Sequence, residues 1–263
     1  MSARQRWADL DARMMSGTVM VVIGLACIWL GGHVFHLLVA LICGLMVWEL
    51  VGMLRPGKRD AQLGLGLLSG SVVFIAIYLP VGFALPLLLA PALIGFGQLD
   101  ANRTIYIAFS VMILLAGFGM MQVRDDMGFQ WLLWLVFVVV VTDVAGYFAG
   151  RFFGGPKFWP RVSPKKTWAG TIAGWLGAGV VGFIFTLFTP ATLVIVLVSM
   201  VTSFASQMGD VAESALKRRM GVKDSSTLIP GHGGLFDRFD ALLGAALFML
   251  LIAAVVDLPG LAF

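Results

Sequence analysis

Between Ser214 and Asp240 the chain reads SALKRRMGVKDSSTLIPGHGGLFDRFD, a run of bases, aspartates, hydroxyls, one histidine and a glycine cluster between two strongly apolar stretches. Carboxylates beside cations are the groups that bind a hard divalent cation and phosphates around it, since Mg2+ typically takes one or two carboxylates, waters and substrate phosphates. If a helix continues through this region, Asp210, Glu213, Ser214 and Lys217 stand at i, i+3, i+4 and i+7 on one face. Asp210 and Asp237 are the first choices as metal ligands, with Asp143, Glu213 and Asp240 as further candidates. The turn Pro230-Gly231-His232-Gly233-Gly234 lets backbone N–H groups approach a phosphate without side-chain obstruction, although glycines also mark ordinary turns. A second basic cluster, Ser163-Pro164-Lys165-Lys166-Thr167, precedes an apolar stretch whose first turn offers N–H groups to an anion. Taken alone, that cluster reads more readily as a basic loop drawn to anionic lipid headgroups; beside the other basic segment and the acids, phosphate binding becomes the favoured reading.

The elements that must position these residues are membrane helices. Of 263 residues, 60% are hydrophobic and 12% charged, and the mean hydropathy is +0.97; such a chain is an integral membrane protein. Nine apolar stretches, about 17–31, 33–54, 62–80, 82–98, 104–121, 129–150, 170–188, 191–208 and 238–256, approach the ~20 residues a spanning helix needs. They lack the alternation of barrel strands, so the expected fold is an all-α polytopic helical bundle. The first stretch has no small-residue cleavage site and is expected to stay in the protein.

With nine spans and a cytoplasmic N-terminus, 17 of the 18 Lys and Arg fall on the cytoplasmic side and Arg124 alone on the other. This bias places the C-terminus outside and accounts for the net charge of +4 without a nucleic-acid partner. The chain reads as one membrane domain, 1–263, with scaffold helices in 1–128 and a catalytic part in 129–263 that carries the cytoplasmic loops 151–169 and 209–237. Cys27 and Cys43 fall inside spans, where a thiol behaves as a small apolar residue.

An ionised carboxylate at mid-bilayer costs about 2.5–3.5 kcal/mol even on lenient scales, so acids in spans ask for a reason. In the topology above Glu49, Asp143, Asp210, Glu213, Asp237 and Asp240 all fall toward the cytoplasmic ends of their helices. Function is the favoured reading for Asp143, Asp210 and Asp237; Glu49 and Asp240 are balanced between function and simple placement among headgroups.

These residues resemble the phosphatidate cytidylyltransferase (CDP-diacylglycerol synthase) family. The family's signature falls on Ser214, Lys217-Arg218, Lys223-Asp224, His232-Gly233-Gly234, Asp237-Arg238 and Asp240, with no gap or substitution. Ser163 to Thr167 matches its SPKKT segment, and Gln207-Met208-Gly209-Asp210 resembles its Gly-Asp metal-binding corner; the match spans roughly 143–240. One departure is Ala169, where the family often has Glu. The resemblance implies transfer of CMP from CTP to phosphatidic acid, giving CDP-diacylglycerol and pyrophosphate with Mg2+ and room for a second metal ion. It assigns catalytic roles to Asp210, Asp237, Lys217, His232 and Asp143. Phosphate or substrate binding goes to Ser163, Lys165, Lys166, Thr167, Ser214, Arg218, Lys223, Gly233, Gly234 and Arg238. The expected location is a bacterial inner (plasma) membrane, with the site facing the cytoplasm and open sideways to membrane lipid.

Two other classes compete. A CTP-dependent polyprenol or lipid kinase needs a base to remove a hydroxyl proton, and an ion-coupled transporter needs paired broken helices in two repeated halves, which the chain lacks. Gly146 to Gly150 and Gly170 to Gly174 have the spacing of close helix packing, which also permits a homodimer. Trp159 and Trp168 read as interfacial anchors, and His33 and His36, at the opposite membrane face, receive no catalytic role.

Overall fold

A computed structural model describes residues 3–255. Among them the chain forms nine α-helices: α1 (Ala3–Leu30), α2 (Gly32–Leu54), α3 (Arg59–Ala76), α4 (Val81–Gln98), α5 (Arg103–Gln122), α6 (Phe129–Phe152), α7 (Trp168–Thr186), α8 (Val194–Met220) and α9 (Phe236–Val255). One π-helical turn, Val123–Met127, follows α5. A two-stranded antiparallel hairpin, β1 (Lys157–Trp159) and β2 (Ser163–Thr167), interrupts the otherwise helical chain inside the expected loop 151–169. The side chains of Arg4, Arg6 and Arg13, counted in the charge bias, and the expected end of the last span at residue 256 lie outside the described residues.

Among the described residues, six helical segments are long and apolar enough to cross a membrane: Gly32–Leu54, Val81–Gln98, Arg103–Met127, Phe129–Phe153, Trp168–Thr186 and Val194–Met220. The protein is thus an all-α polytopic membrane protein. The apolar part of α1, Met14–Leu30, is shorter. α3 opens on Arg59 and Asp60, and α9 carries Asp237, Arg238 and Asp240 in its first two turns. Large apolar side chains such as Leu67, Phe83, Phe148, Leu176 and Leu197 point outward, as lipid-facing surfaces do.

The helices group into two compact units. The first takes the chain up to Met121 together with Met220–Phe239. There α2 and α3 approach backbone to backbone: a Cβ at Gly44 would stand 2.9 Å from the Gly66 carbonyl, and one at Gly70 2.9 Å from the Ala40 carbonyl. Met46, Val47, Leu50 and Val51 of α2 are almost wholly buried, and Cys43 packs against Gly117 of α5, the apolar role expected of it. Pro86 and Pro91 stand inside α4, where the buried Tyr106 hydroxyl donates to the Pro91 carbonyl at 3.0 Å. Between helices, Asp100 meets Arg55 at 2.5 Å and Lys58 at 3.0 Å; the Lys58 ammonium, then Arg55, holds its carboxyl below the ordinary range. His33 and His36 both bond the Tyr78 hydroxyl.

The second unit comprises Gln122–Arg219 and the chain from Asp240 onward. Gly146 of α6 faces Gly170 of α7 so closely that a Cβ on Gly146 would lie 3.2 Å from the Gly170 carbonyl. This is the packing read from their spacing. Gly182 of α7 meets Ile195 and Ser199 of α8, and Gly209 and Gly244 bring α8 against α9. Hydroxyls knit the interior: Trp134 Nε1 donates to Ser199 Oγ at 3.0 Å, and Thr142 Oγ1 to Ser203 Oγ at 2.7 Å. α8 runs twelve residues beyond the expected end of its span at 208, to Met220, as the one-face placement of Asp210 to Lys217 requires, and Gly221, at φ 69°, follows its last residue.

Candidate active site

In the second unit a cavity of about 560 Å³ opens between α6, β2, α7 and α8. α6 contributes Asp143, Tyr147 and Arg151, β2 contributes Lys165, Lys166 and Thr167, and α8 contributes Gln207 and Asp210. Gly146, Gly150 and Gly170 line it as well, because a close helix crossing leaves backbone exposed to the space beside it.

β2 can deliver its lysines because Thr167 ends the strand as the cap of α7. Its backbone is extended (φ −118°, ψ 155°), and its hydroxyl accepts from the Gly170 N–H at 3.2 Å. Lys166 Nζ reaches Asp210 Oδ2 at 2.5 Å, both side chains only about a quarter exposed (24% and 27%). Ser214 donates to the other oxygen, Asp210 Oδ1, at 3.2 Å, as their i, i+4 spacing allows. Asp143 lies within electrostatic reach of Lys166 and Asp210, and Asp240 within reach of Asp210, Lys217 and Asp143. Lys217 pairs with the fully buried Glu213 at 2.6 Å. The one-face reading of Asp210, Glu213, Ser214 and Lys217 thus acquires two direct contacts. Ser163 pairs across the hairpin with Trp159, outside the residues that line the cavity. Arg218 is exposed in the last turn of α8.

In the first unit the segment after Gly221 folds into a loop organised by two carboxylates. Ile229 and Gly233 exchange backbone hydrogen bonds at 2.8 and 3.1 Å, and His232 N–H also donates to the Ile229 carbonyl, at 2.9 Å. Gly231 and Gly233 sit at φ 76° and 83°, where a side chain is strained. Asp237 Oδ2 accepts from Gly234 N–H (2.8 Å), Ser225 N–H (2.9 Å) and Ser225 Oγ (3.0 Å). Glu49, 1% exposed on α2, accepts from Ser226 Oγ (2.6 Å), Phe236 N–H (2.7 Å), Leu235 N–H (2.9 Å) and Ser225 Oγ (3.2 Å). Arg238 donates twice to the His232 carbonyl, at 2.7 and 2.9 Å, and His232 Nδ1 shares a 2.7 Å hydrogen bond with Ser16 Oγ of α1. Lys223 is exposed.

The expectation that Gly233 and Gly234 offer free N–H groups to a phosphate meets a different geometry. The N–H groups of residues 232, 233, 234, 235 and 236 all end on protein acceptors. These glycines serve closure: a Cβ on Gly234 would stand 2.0 Å from Ser225 Oγ and 2.4 Å from Glu49 Oε1. Arg151 and Tyr147 were missed as cavity residues, yet Asp143, Tyr147 and Arg151 stand at i, i+4 and i+8 along α6, a helical spacing that would have found them. Arg151 Nη1 bonds the Tyr147 hydroxyl at 3.0 Å. Glu49 carried no comparable signal beyond being an acid in a span, since its partners lie 176 to 187 positions away.

Among the described residues no group of three or more His, Cys, Asp or Glu is arranged as a metal site. Mg2+ does not require one: a carboxylate such as Asp210, beside a cavity that admits water and phosphate, suits its oxygen preference and open coordination. The donor chemistry fits.

Residues 11–256 match the model of the cytidylyltransferase family. A phosphatidate cytidylyltransferase of Brucella suis is 32% identical over 267 residues, covering 96% of each chain. The enzyme of that name from Bacillus subtilis is 29% identical over 280 residues, covering 94% of this chain and 98% of its own. The one from Haemophilus influenzae is 43% identical over 155 residues, 54% of each chain. With the family pattern running through both units and relatives aligned along nearly their whole length, the chain belongs to the cytidylyltransferase family.

Proposed function

We propose that this protein is a phosphatidate cytidylyltransferase, a nucleotidyltransferase of phospholipid biosynthesis that transfers CMP from CTP to phosphatidic acid. The observation that carries the reading is the contact of Lys166 with Asp210 inside a polar cavity of about 560 Å³, which joins the SPKKT and Gly-Asp segments in one place. The protein spans the membrane of a bacterial cell nine times, with its N-terminus and its site on the cytoplasmic side and its C-terminus outside; the one-sided Lys and Arg distribution supports this orientation.

The lipid phosphate is largely ionised at neutral pH and attacks without a dedicated base. A bond forms between its oxygen and the α-phosphorus of CTP, the bond from that phosphorus to the bridging oxygen breaks, and pyrophosphate leaves. Two anionic substrates repel each other, so catalysis rests on positioning and charge neutralisation. Lys165, Lys166 and Arg151 hold phosphate oxygens in the cavity, Lys217 offsets the acids around it, and Asp143 and Asp240 tune the field at Asp210. Asp210 and Asp237 are the carboxylates assigned to Mg2+, which when bound neutralises phosphate charge and stabilises the departing pyrophosphate.

Purified protein in detergent, given phosphatidic acid, Mg2+ and CTP labelled at either the α or the γ position, tests the reading. Lipid labelled only from α-labelled CTP, with pyrophosphate released and Asp237→Asn inactive, is the expected result. Label entering lipid from the γ position would replace the reading with a lipid kinase, and no metal-dependent transfer to any lipid acceptor would remove it.

A further inference from the structure

We propose that Glu49, on an N-terminal helix outside the family signature, is a positioning residue that sets Asp237 for its work; this rests on the functional reading above. The α9 N-terminus should present unpaired N–H groups and a partial positive charge, the features with which a helix binds a phosphate. Here a protein carboxylate already stands in that place. Glu49 takes the N–H groups of Leu235 and Phe236, and Asp237 takes that of Gly234, so three successive donors end on two acids. An anionic substrate approaching this terminus meets negative charge, which leaves phosphate binding to the lysine and arginine side chains.

The two acids are coupled through Ser225. Its hydroxyl lies 3.2 Å from Glu49 Oε2 and 3.0 Å from Asp237 Oδ2, and it has one hydrogen to donate between them. Ser225 N–H also donates to Asp237 Oδ2, so any shift of Ser225 moves two of that oxygen's three donors. Glu49 holds Ser225, holds its neighbour Ser226, and fixes the first residue of the helix that carries Asp237. The space is filled tightly enough that only glycine fits at 234. A glutamine at 49 keeps the shape but sets an NH2 group against donors, so at least one oxygen's worth of bonds is lost.

The test compares wild type, Glu49→Gln and Ser226→Ala, each normalised to its monodisperse fraction in detergent. For Glu49→Gln we expect at least a tenfold fall in kcat and at least a threefold rise in the Mg2+ concentration for half-maximal rate. For Ser226→Ala, which removes one of four donors, we expect shifts in the same direction of about twofold. Free Mn2+ measured by electron paramagnetic resonance, without substrates, reads the same change as weaker binding. A kcat and metal midpoint equal to wild type in Glu49→Gln, or unchanged Mn2+ affinity, overturns the proposal. If Glu49→Gln yields no monodisperse protein, Ser226→Ala decides in the same way. Wild-type protein that makes no CDP-lipid would sink the functional reading, while the Mn2+ comparison still decides the role of Glu49.

Discussion

Gly209→Ala should be among the most damaging single-methyl additions in this protein, although helix propensity alone favours it. In a helix interior, alanine is better than glycine by roughly 1 kcal/mol. At Gly209, however, a Cβ would stand 2.3 Å from the Asp240 carbonyl oxygen and 2.9 Å from the Gly244 nitrogen, against the 3.4 Å at which ordinary contact begins. The obstructing atoms are backbone, so no side-chain rotation relieves them, and α8 and α9 must part by about 1 Å. That separation falls between Asp210, the next residue on α8, and Asp240, the residue whose carbonyl is struck. A misplacement of about 1 Å at a reacting centre costs on the order of 100-fold in rate, equivalent to about 2.7 kcal/mol. The assay is transfer of α-label from CTP to phosphatidic acid per mole of monodisperse protein, beside the thermal midpoint in the same detergent. Gly64→Ala, on the exposed side of α3 with nothing within 4 Å of its added Cβ, is the matched control and should keep full activity. Gly209→Ala within threefold of wild type would refute the claim that this crossing sets the separation of the two aspartates.

Lys166→Met removes the cation at Asp210; a charged hydrogen bond to phosphate is worth about 1.5–3 kcal/mol, so kcat/KM for CTP should fall roughly 10- to 150-fold in steady-state kinetics. Thr167→Ala should lower stability by about 1 kcal/mol through loss of the α7 cap, read by chemical denaturation in detergent, while Thr167→Ser should restore it. Asp237→Asn puts an amide where one oxygen accepts three donors. Amide hydrogen exchange across Ser225–Phe236 should accelerate at least tenfold, with activity lost, and unchanged exchange would refute the assigned closure role.

The helices were legible because nothing but a helix satisfies the backbone of long apolar stretches in lipid. The small-residue crossings were legible from spacing, as Gly146 against Gly170 demonstrates. The α8 face was readable too: Asp210 and Ser214, and Glu213 and Lys217, are near neighbours in sequence and a helix has only one way to place them. Contacts closing over long separations were not legible. Glu49 meets Phe236 across 187 positions, and no local pattern names the partner of an isolated buried acid. The glycine turn did not name its neighbours either. Glycine announces that backbone comes close to something, and in Gly234 that something is Ser225 and Glu49 of the protein itself.

Charge balance gives the cavity its logic. Asp210 beside Asp143 and Asp240 would be a costly concentration of negative charge in a membrane protein, and Lys166 at 2.5 Å offsets it without substrates. Divalent metal and phosphate can replace that pairing on both sides at once. A metal held by Asp210 would free Lys166 to pair with a phosphate, so neither charge would be left bare. Substrate and metal entering separately would each have to break the ion pair and leave one partner uncompensated. Binding should therefore be cooperative: CTP should lower the Mg2+ concentration needed for half-saturation in wild type, and Lys166→Met should weaken that coupling by removing the group that both ligands exchange. Isothermal titration of Mg2+ with and without CTP measures it directly, and equal coupling in the two proteins would show that the ion pair has no part in admitting the substrates.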